Sequence, residues 1–125
     1  MIACDTSSLA AFLAGDPQAG DVIKLRKASK ADQLVLPPVA LTEALSNPKT
    51  FAQADALISE LPLLSLTPGY WQRAAQSRSK LIGKGLKARL ADTLIAQSCI
   101  DADVELITRD KDFRHFVQHC GLKLA

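Results

Sequence analysis

The chain has 125 residues, 48% of them hydrophobic and 22% charged, with a formal net charge of +2. That length and balance fit a single domain over residues 1–125 with one continuous core, and exclude a disordered chain. No apolar run approaches the roughly 20 residues that cross a bilayer, and Asp5 interrupts any leader-like stretch, so a cytoplasmic protein with no membrane partner is expected.

Met1–Cys4 is a short apolar run ending in Asp5-Thr6-Ser7-Ser8, whose oxygens can cap a helix beginning near Leu9. Asp16-Pro17 is a second start signal, a cap residue followed by proline in the first turn, and predicts a helix running to about Lys30. Gln33–Leu36 reads as a strand, which Pro37-Pro38 stops before a helix carrying Leu41, Glu43 and Leu45. Asn47-Pro48 breaks the chain again. Phe51–Leu61 then reads as helix and Leu63–Leu66 as a strand.

Thr67-Pro68 opens a longer helix that ends around Gly83-Lys84-Gly85. Its apolar stripe is Trp71, Ala74, Ala75 and Ile82, and Arg73, Lys80 and Lys84 lie opposite. From about Leu90 to Ala102, apolar residues again recur at helical spacing. Val104–Thr108 is a strand, Lys111–His119 a short helix and Leu122–Leu124 a last strand. Short apolar strands alternating with helices imply a parallel sheet covered on both faces. Cys4, Cys99 and Cys120 are odd in number and widely spaced, and read as small core residues in a reducing compartment.

Charge is unevenly distributed. Leu61 to Ala91 holds no acid but contains Arg73, Arg78, Lys80, Lys84, Lys87 and Arg89. Such a stretch is either a solvated helix face or the footprint of a polyanion.

The acids carry the functional argument. In an open parallel sheet, ligands bind beyond the carboxyl ends of the strands. Asp5 directly follows the first strand and Asp110 lies just after the strand ending at Thr108. Glu43 sits on the helix after the second strand, and Asp92 in the first turn of its own helix. Singly, each has a structural explanation as a cap or turn residue. Together they form a set of like charges that is unfavourable without a cation, and Mg2+ or Mn2+ prefers such oxygen donors.

Other chemistries fit less well. His115 and His119 share a helical face, but Phe116 stands where a zinc motif needs glutamate. The pair could instead serve a metal-free acid–base ribonuclease. A phosphoryl-transfer signature fails because Ser7 replaces its second aspartate, and Gly83-Lys84-Gly85 lacks the spacing of a phosphate-binding loop.

The segments Ile2-Ala3-Cys4-Asp5-Thr6-Ser7, Leu41-Thr42-Glu43-Ala44, Ala91-Asp92-Thr93-Leu94-Ile95-Ala96 and Leu106-Ile107-Thr108-Arg109-Asp110-Lys111-Asp112-Phe113 resemble the PIN-domain family. Their order, spacing and flanking residues resemble especially the VapC-like toxins of bacterial toxin–antitoxin pairs. The resemblance implies an α/β fold, a three-layer sandwich with a central, mostly parallel five-stranded sheet flanked by helices. It also implies a Mg2+- or Mn2+-dependent endoribonuclease acting on transfer RNA or other structured RNA.

Carried over by position, Asp5, Glu43, Asp92 and Asp110 would be the catalytic and metal-binding acids. Thr6, Thr108 and Asp112 would support them, and Arg73, Lys80, Lys84 and Arg89 would hold the RNA backbone. A small antitoxin and a homodimer are the implied protein partners, with Phe51–Leu61 a candidate interface. The alternatives are a PIN nuclease that is not a toxin, and a catalytically silent PIN-like protein- or RNA-binding module.

Overall fold

The computed structural model describes Met1–Ala125. Strand β1 (Ile2–Cys4) stands at the centre of a parallel sheet, between β2 (Leu34–Val35) and β3 (Glu105–Ile107). Ile2 lies opposite Leu34 and Glu105, and Cys4 opposite Ile107. Five strands were expected, but only these three form ladders. The two outer lanes are single parallel bridges, Leu36 with Leu63 and Leu106 with Leu124. On the Leu63 side the reason is local, since Pro38 and Pro62 have no N–H to continue the pairing.

The helices are α1 (Thr6–Leu13), α2 (Gly20–Lys30), α3 (Pro38–Leu45), α4 (Pro48–Ser59), α5 (Tyr70–Gly83), α6 (Leu90–Ala102) and α7 (Arg114–Cys120). Asp5 caps α1 as the sequence suggests, accepting from the Ser8 N–H. Asn47, expected to break the chain before a helix at Phe51, instead caps α4 by accepting from Lys49 and Thr50. The helix expected from Thr67-Pro68 begins only at Tyr70. Pro38 and Pro48 occupy the first turns of α3 and α4, where a missing N–H costs nothing.

Asp16-Pro17 is a further exception. Its carboxylate accepts from the Gln18 N–H in a local turn, and α2 begins only at Gly20. The predicted Lys111–His119 helix is also divided, with a 3₁₀ turn over Lys111–Phe113 preceding α7.

Adjacent residues of a strand point to opposite faces, so their burial reports on both. Ala3 and Cys4 are fully buried, as are Leu106 and Ile107, so both faces of the sheet are covered. The β1-to-β2 and β2-to-β3 crossovers run in opposite directions, and right-handed connections then put α2 and α6 on opposite faces. Ile95, Ala96 and Cys99 of α6 join β1, β3, Phe113 and Phe116 in one apolar core. Burial pushes the Cys4 and Cys99 thiols up to about 12, as inert core groups require.

The rotational setting of α5 differs from the predicted stripe. Tyr70, Ala74 and Leu81 are buried against α6, whereas Trp71 is 61% exposed and Ile82 52% exposed. The Tyr70 hydroxyl donates to the Leu94 carbonyl at 2.6 Å, and Ser77 donates to Gln97 at 2.6 Å. These two bonds, 20 or more residues apart in the chain, select the face that packs.

Candidate active site: a rim of four carboxylates

Asp5 continues β1, its N–H donating to the Ile107 carbonyl at 3.1 Å. The side chain is only 3% exposed. Its Oδ1 accepts from the Ser8 N–H at 3.0 Å, while Oδ2 accepts from Ser7 Oγ at 2.8 Å and Thr108 Oγ1 at 2.6 Å. A carboxylate has about four lone-pair sites, so these three donors leave room for about one more ligand. Thr108 also accepts from the Asp110 N–H at 3.0 Å, tying the two strand-end acids together.

Asp110 follows β3 and caps the 3₁₀ turn, its Oδ1 accepting from the Asp112 N–H at 2.9 Å. Glu43 reaches in from α3, and its Oε1 accepts from Thr6 Oγ1 at 2.7 Å. Asp92 stands in the first turn of α6, half-buried. Burial and the neighbouring Asp110 charge push its carboxyl up to about 6, with smaller upward contributions from Glu43 and Asp5 and an opposing one from Arg89. Asp92 therefore shares one electrostatic field with the other three acids, which come from distant parts of the chain.

As the side chains lie, no three acidic, histidine or cysteine groups converge tightly enough to enclose an ion. Asp5, Glu43 and Asp110 each turn toward a hydroxyl or a backbone N–H, which keeps like charges apart. The donor set nonetheless suits Mg2+ or Mn2+, since it is all oxygen and concentrates uncompensated negative charge at Asp92.

The supporting residues divide. Thr6 and Thr108 orient carboxylates. Asp112 faces Lys87 at 3.1 Å, and that ammonium holds its carboxyl below the usual range. It serves an ion pair outside the quartet.

The basic residues divide more sharply. The Arg73 guanidinium grips Asp101, with Nε 3.1 and 3.2 Å from its two oxygens and a second nitrogen at 2.7 Å. It also donates to the Pro68 carbonyl and Thr67 Oγ1, both at 2.8 Å. Asp101 lies nine residues beyond Asp92 on α6, about 14 Å away at the helical rise. Lys80 donates to the His119 carbonyl at 2.7 Å. Arg73 thus joins α5 to the Asp101 end of α6, and Lys80 joins α5 to α7. Lys84 and Arg89 are exposed and in no ion pair, and Arg89 adjoins Asp92.

His119 borders a shallow groove with Arg73, Lys80 and Gln97, near the Asp101 end of α6. His115 is half-buried with its Nδ1 unpartnered. Neither histidine belongs to a metal-holding group.

One tie had no signature in the sequence. Ser8 Oγ donates to Asp21 at 2.9 Å, and Arg109 grips the same carboxylate through two nitrogens at 2.8 and 3.0 Å. Chiefly through the Arg109 hydrogen bonds, the Asp21 carboxyl is lowered to about 2. Because Arg109 precedes Asp110, the start of α2 is fastened to the loop that carries a rim acid.

A parallel sheet with a rim of acids beyond its carboxyl ends defines an α/β protein of the class that binds ligands at strand ends. The profile of the PIN domain matches residues 2–117, and the chain belongs to that family. No curated protein matches it in sequence. Its fold is similar to a chain of VapBC2 from Rickettsia felis bound to a DNA fragment from its promoter, with a TM-score of 0.75 at 19% identity over 100% of this chain and 98% of that one. It is also similar to a chain of DNA-bound VapBC from Salmonella typhimurium, with a TM-score of 0.74 at 18% identity over 100% and 98%. A chain of FitAB bound to the IR36 DNA fragment gives 0.72 at 18% identity over 100% and 94%. No helix of the chain is long and apolar enough to cross a membrane.

Proposed function

We propose that this chain is a divalent-metal-dependent endoribonuclease, the toxin of a toxin–antitoxin pair, acting through Asp5, Glu43, Asp92 and Asp110. The observation that carries the reading is the raised Asp92 carboxyl, which feels three other acids arriving from separate elements. A set of anions maintained at a strand-end rim is understandable if a cation binds there.

Mg2+ or Mn2+ held by the four acids would supply Lewis acidity at a phosphodiester oxygen and an activated water, leaving a 5′ phosphate and a 3′ hydroxyl. Within this scheme Thr108 fixes Asp5 relative to Asp110, and Thr6 holds Glu43. Arg89, beside Asp92, and the exposed Lys84 are cations in no ion pair that would meet the RNA backbone.

The solved complexes VapBC and FitAB support a protein partner by analogy of fold. The surface supplies a matching feature. Trp71, Ile82 and Leu90 are each more than half exposed along an apolar groove of about 680 Å³ between α5 and α6. Such a patch suits an antitoxin or a second copy of the chain. Phe51 and Leu57 of α4 form a second exposed pair.

The test is cleavage of total transfer RNA with Mn2+, with and without excess EDTA, beside Asp5→Asn. Cleavage that requires both metal and Asp5 and leaves 5′ phosphates is the expected result. Cleavage that survives both treatments would overturn the reading. Specific RNA binding with no cleavage by the pure, metal-loaded chain would favour a silent binding module.

A further inference from the structure

Helix α2 has a surface that nothing above uses. Val22, Leu25 and Ala28 are its buried residues. At 100° per residue, Ile23, Arg26, Lys27 and Lys30 fall on the opposite side. Ile23 is 49% exposed, and these four residues with Ala31 line a shallow groove of about 390 Å³.

None of the three cations enters an ion pair. Asp21, the only acid of the helix, is already held by Arg109. Lys24, the remaining cation, donates to the Ala125 carbonyl at 2.9 Å. The outer face of α2 is therefore a compact positive patch with no internal counter-charge. This sets it apart from α5, where Arg73 and Lys80 are engaged by the protein itself.

We propose that the Arg26–Lys27–Lys30 face of α2 is an auxiliary docking surface for the RNA backbone on one side of the scissile bond. The inference rests on the nuclease reading, which it deepens by giving the substrate a path. Asp21 fastens the first turn of α2 to Arg109, next to the rim acid Asp110. The helix therefore begins beside the rim and carries Arg26, Lys27 and Lys30 away from it on the side opposite Asp21. From Asp21 to Lys30 the axis rises about 14 Å, the length of roughly four stacked nucleotides at about 3.4 Å each.

A polyanion fits this surface better than a protein segment does. Ile23 is the single large apolar side chain in the groove itself, with Met1 exposed beside Lys27 in the adjoining one, so cations and not apolar side chains make up most of its lining. The chain's apolar groove lies elsewhere, between α5 and α6. Phosphates need only unengaged cations, and binding them releases counter-ions.

The experiment compares the full chain with a triple variant, Arg26→Gln, Lys27→Gln and Lys30→Gln. Binding of a 20-nucleotide single-stranded RNA and of transfer RNA is measured by fluorescence anisotropy across a salt series. Chelated metal prevents cleavage, and a polyglutamate peptide serves as competitor. The variant should keep the parent's unfolding temperature, because all three side chains lie on the outer face. Its salt slope, log K against log salt, should fall by about 2, and RNA affinity at low salt by about 10- to 100-fold. In cleavage assays KM for long RNA should rise with kcat unchanged, while an RNA too short to reach α2 is cut equally by both proteins.

An unchanged salt slope in a folded triple variant would overturn the proposal, as would polyglutamate displacing RNA as efficiently as unlabelled RNA does. The two readings fail separately. A parent chain that never cuts RNA, yet loses salt-dependent affinity in the variant, sinks the nuclease and keeps the docking surface. Cleavage with an unchanged slope does the reverse.

Discussion

The two ends of α6 carry the same residue in opposite circumstances. Asp101, in the last turn, receives Arg73 and the Gln97 amide, and the Arg73 bonds above all lower its carboxyl below the usual range. Asp92, in the first turn, has no cation in contact and is pushed up to about 6 by burial and by Asp110. The Asp101 end is a local solution to packing α5 on α6. The Asp92 end leaves negative charge uncompensated, which a fold tolerates where a ligand repays the cost.

Exchanging the Asp92 carboxylate for an amide breaks the comparison most directly. Asp92→Asn should reduce metal-dependent cleavage by at least about 100-fold, since loss of a ligand exceeds the 10- to 100-fold typical of its supporting groups. It should also leave the unfolding temperature of the metal-free chain unchanged or raised, because a like charge has been removed. A calorimetric scan in EDTA checks the second point, and a drop of several degrees would show Asp92 to be structural. Asp101→Asn should behave oppositely, lowering the unfolding temperature while cleavage persists.

Thr108→Val comes next. It removes the hydroxyl that joins Asp5 to Asp110, and cleavage should fall about 10- to 100-fold with weaker Mn2+ dependence. A metal titration of activity reads this, and unchanged titration curves would refute the role. Smaller still is Tyr70→Phe, which leaves the Leu94 carbonyl without its 2.6 Å donor. It should cost about 1 kcal/mol of stability in a denaturant titration and leave activity intact.

A further contrast is in pH. Asp92 has a folded value of about 6 against an ordinary 3.8, so it binds its proton more tightly when folded. Its contribution favours the fold below about pH 4 and is lost as pH rises to 6. Asp21, at about 2 in the fold, contributes above about pH 4 and loses that contribution as pH falls toward 2. In EDTA, stability should therefore fall away on both sides of about pH 4. Asp92→Asn or added Mg2+ should flatten the upper limb, and Asp21→Asn the lower. Unfolding temperatures between pH 2 and 7 test both limbs.

These contrasts follow how much could be read before the fold was known. Asp5 and Asp110 were legible because their positions depend on the chain beside them, an apolar strand and then a capping acid. The helix start at Pro38 was legible for the same reason, whereas Asn47-Pro48 was read as a break and in fact begins α4 three residues before the expected Phe51. Arg73 was not. Its spacing opposite an apolar stripe described a free cation, yet Asp101 is 28 residues away and only packing brings the two together. The exposure of Trp71 was missed likewise, because both faces of α5 carry apolar residues and α6 decides which is buried.

By itself, then, the sequence determined the alternation of strand and helix, the Asp5 cap of α1 and the proline start of α3, and the placement of acids at strand ends. Each of these depends on backbone geometry within a few residues. Only the tertiary structure decided that Asp92 stands in the field of three other acids and that Arg73 and Lys80 are engaged while α2 keeps its cations free. Those outcomes depend on long-range partners and on the screening and burial around each charge, which residue order along the chain does not encode locally.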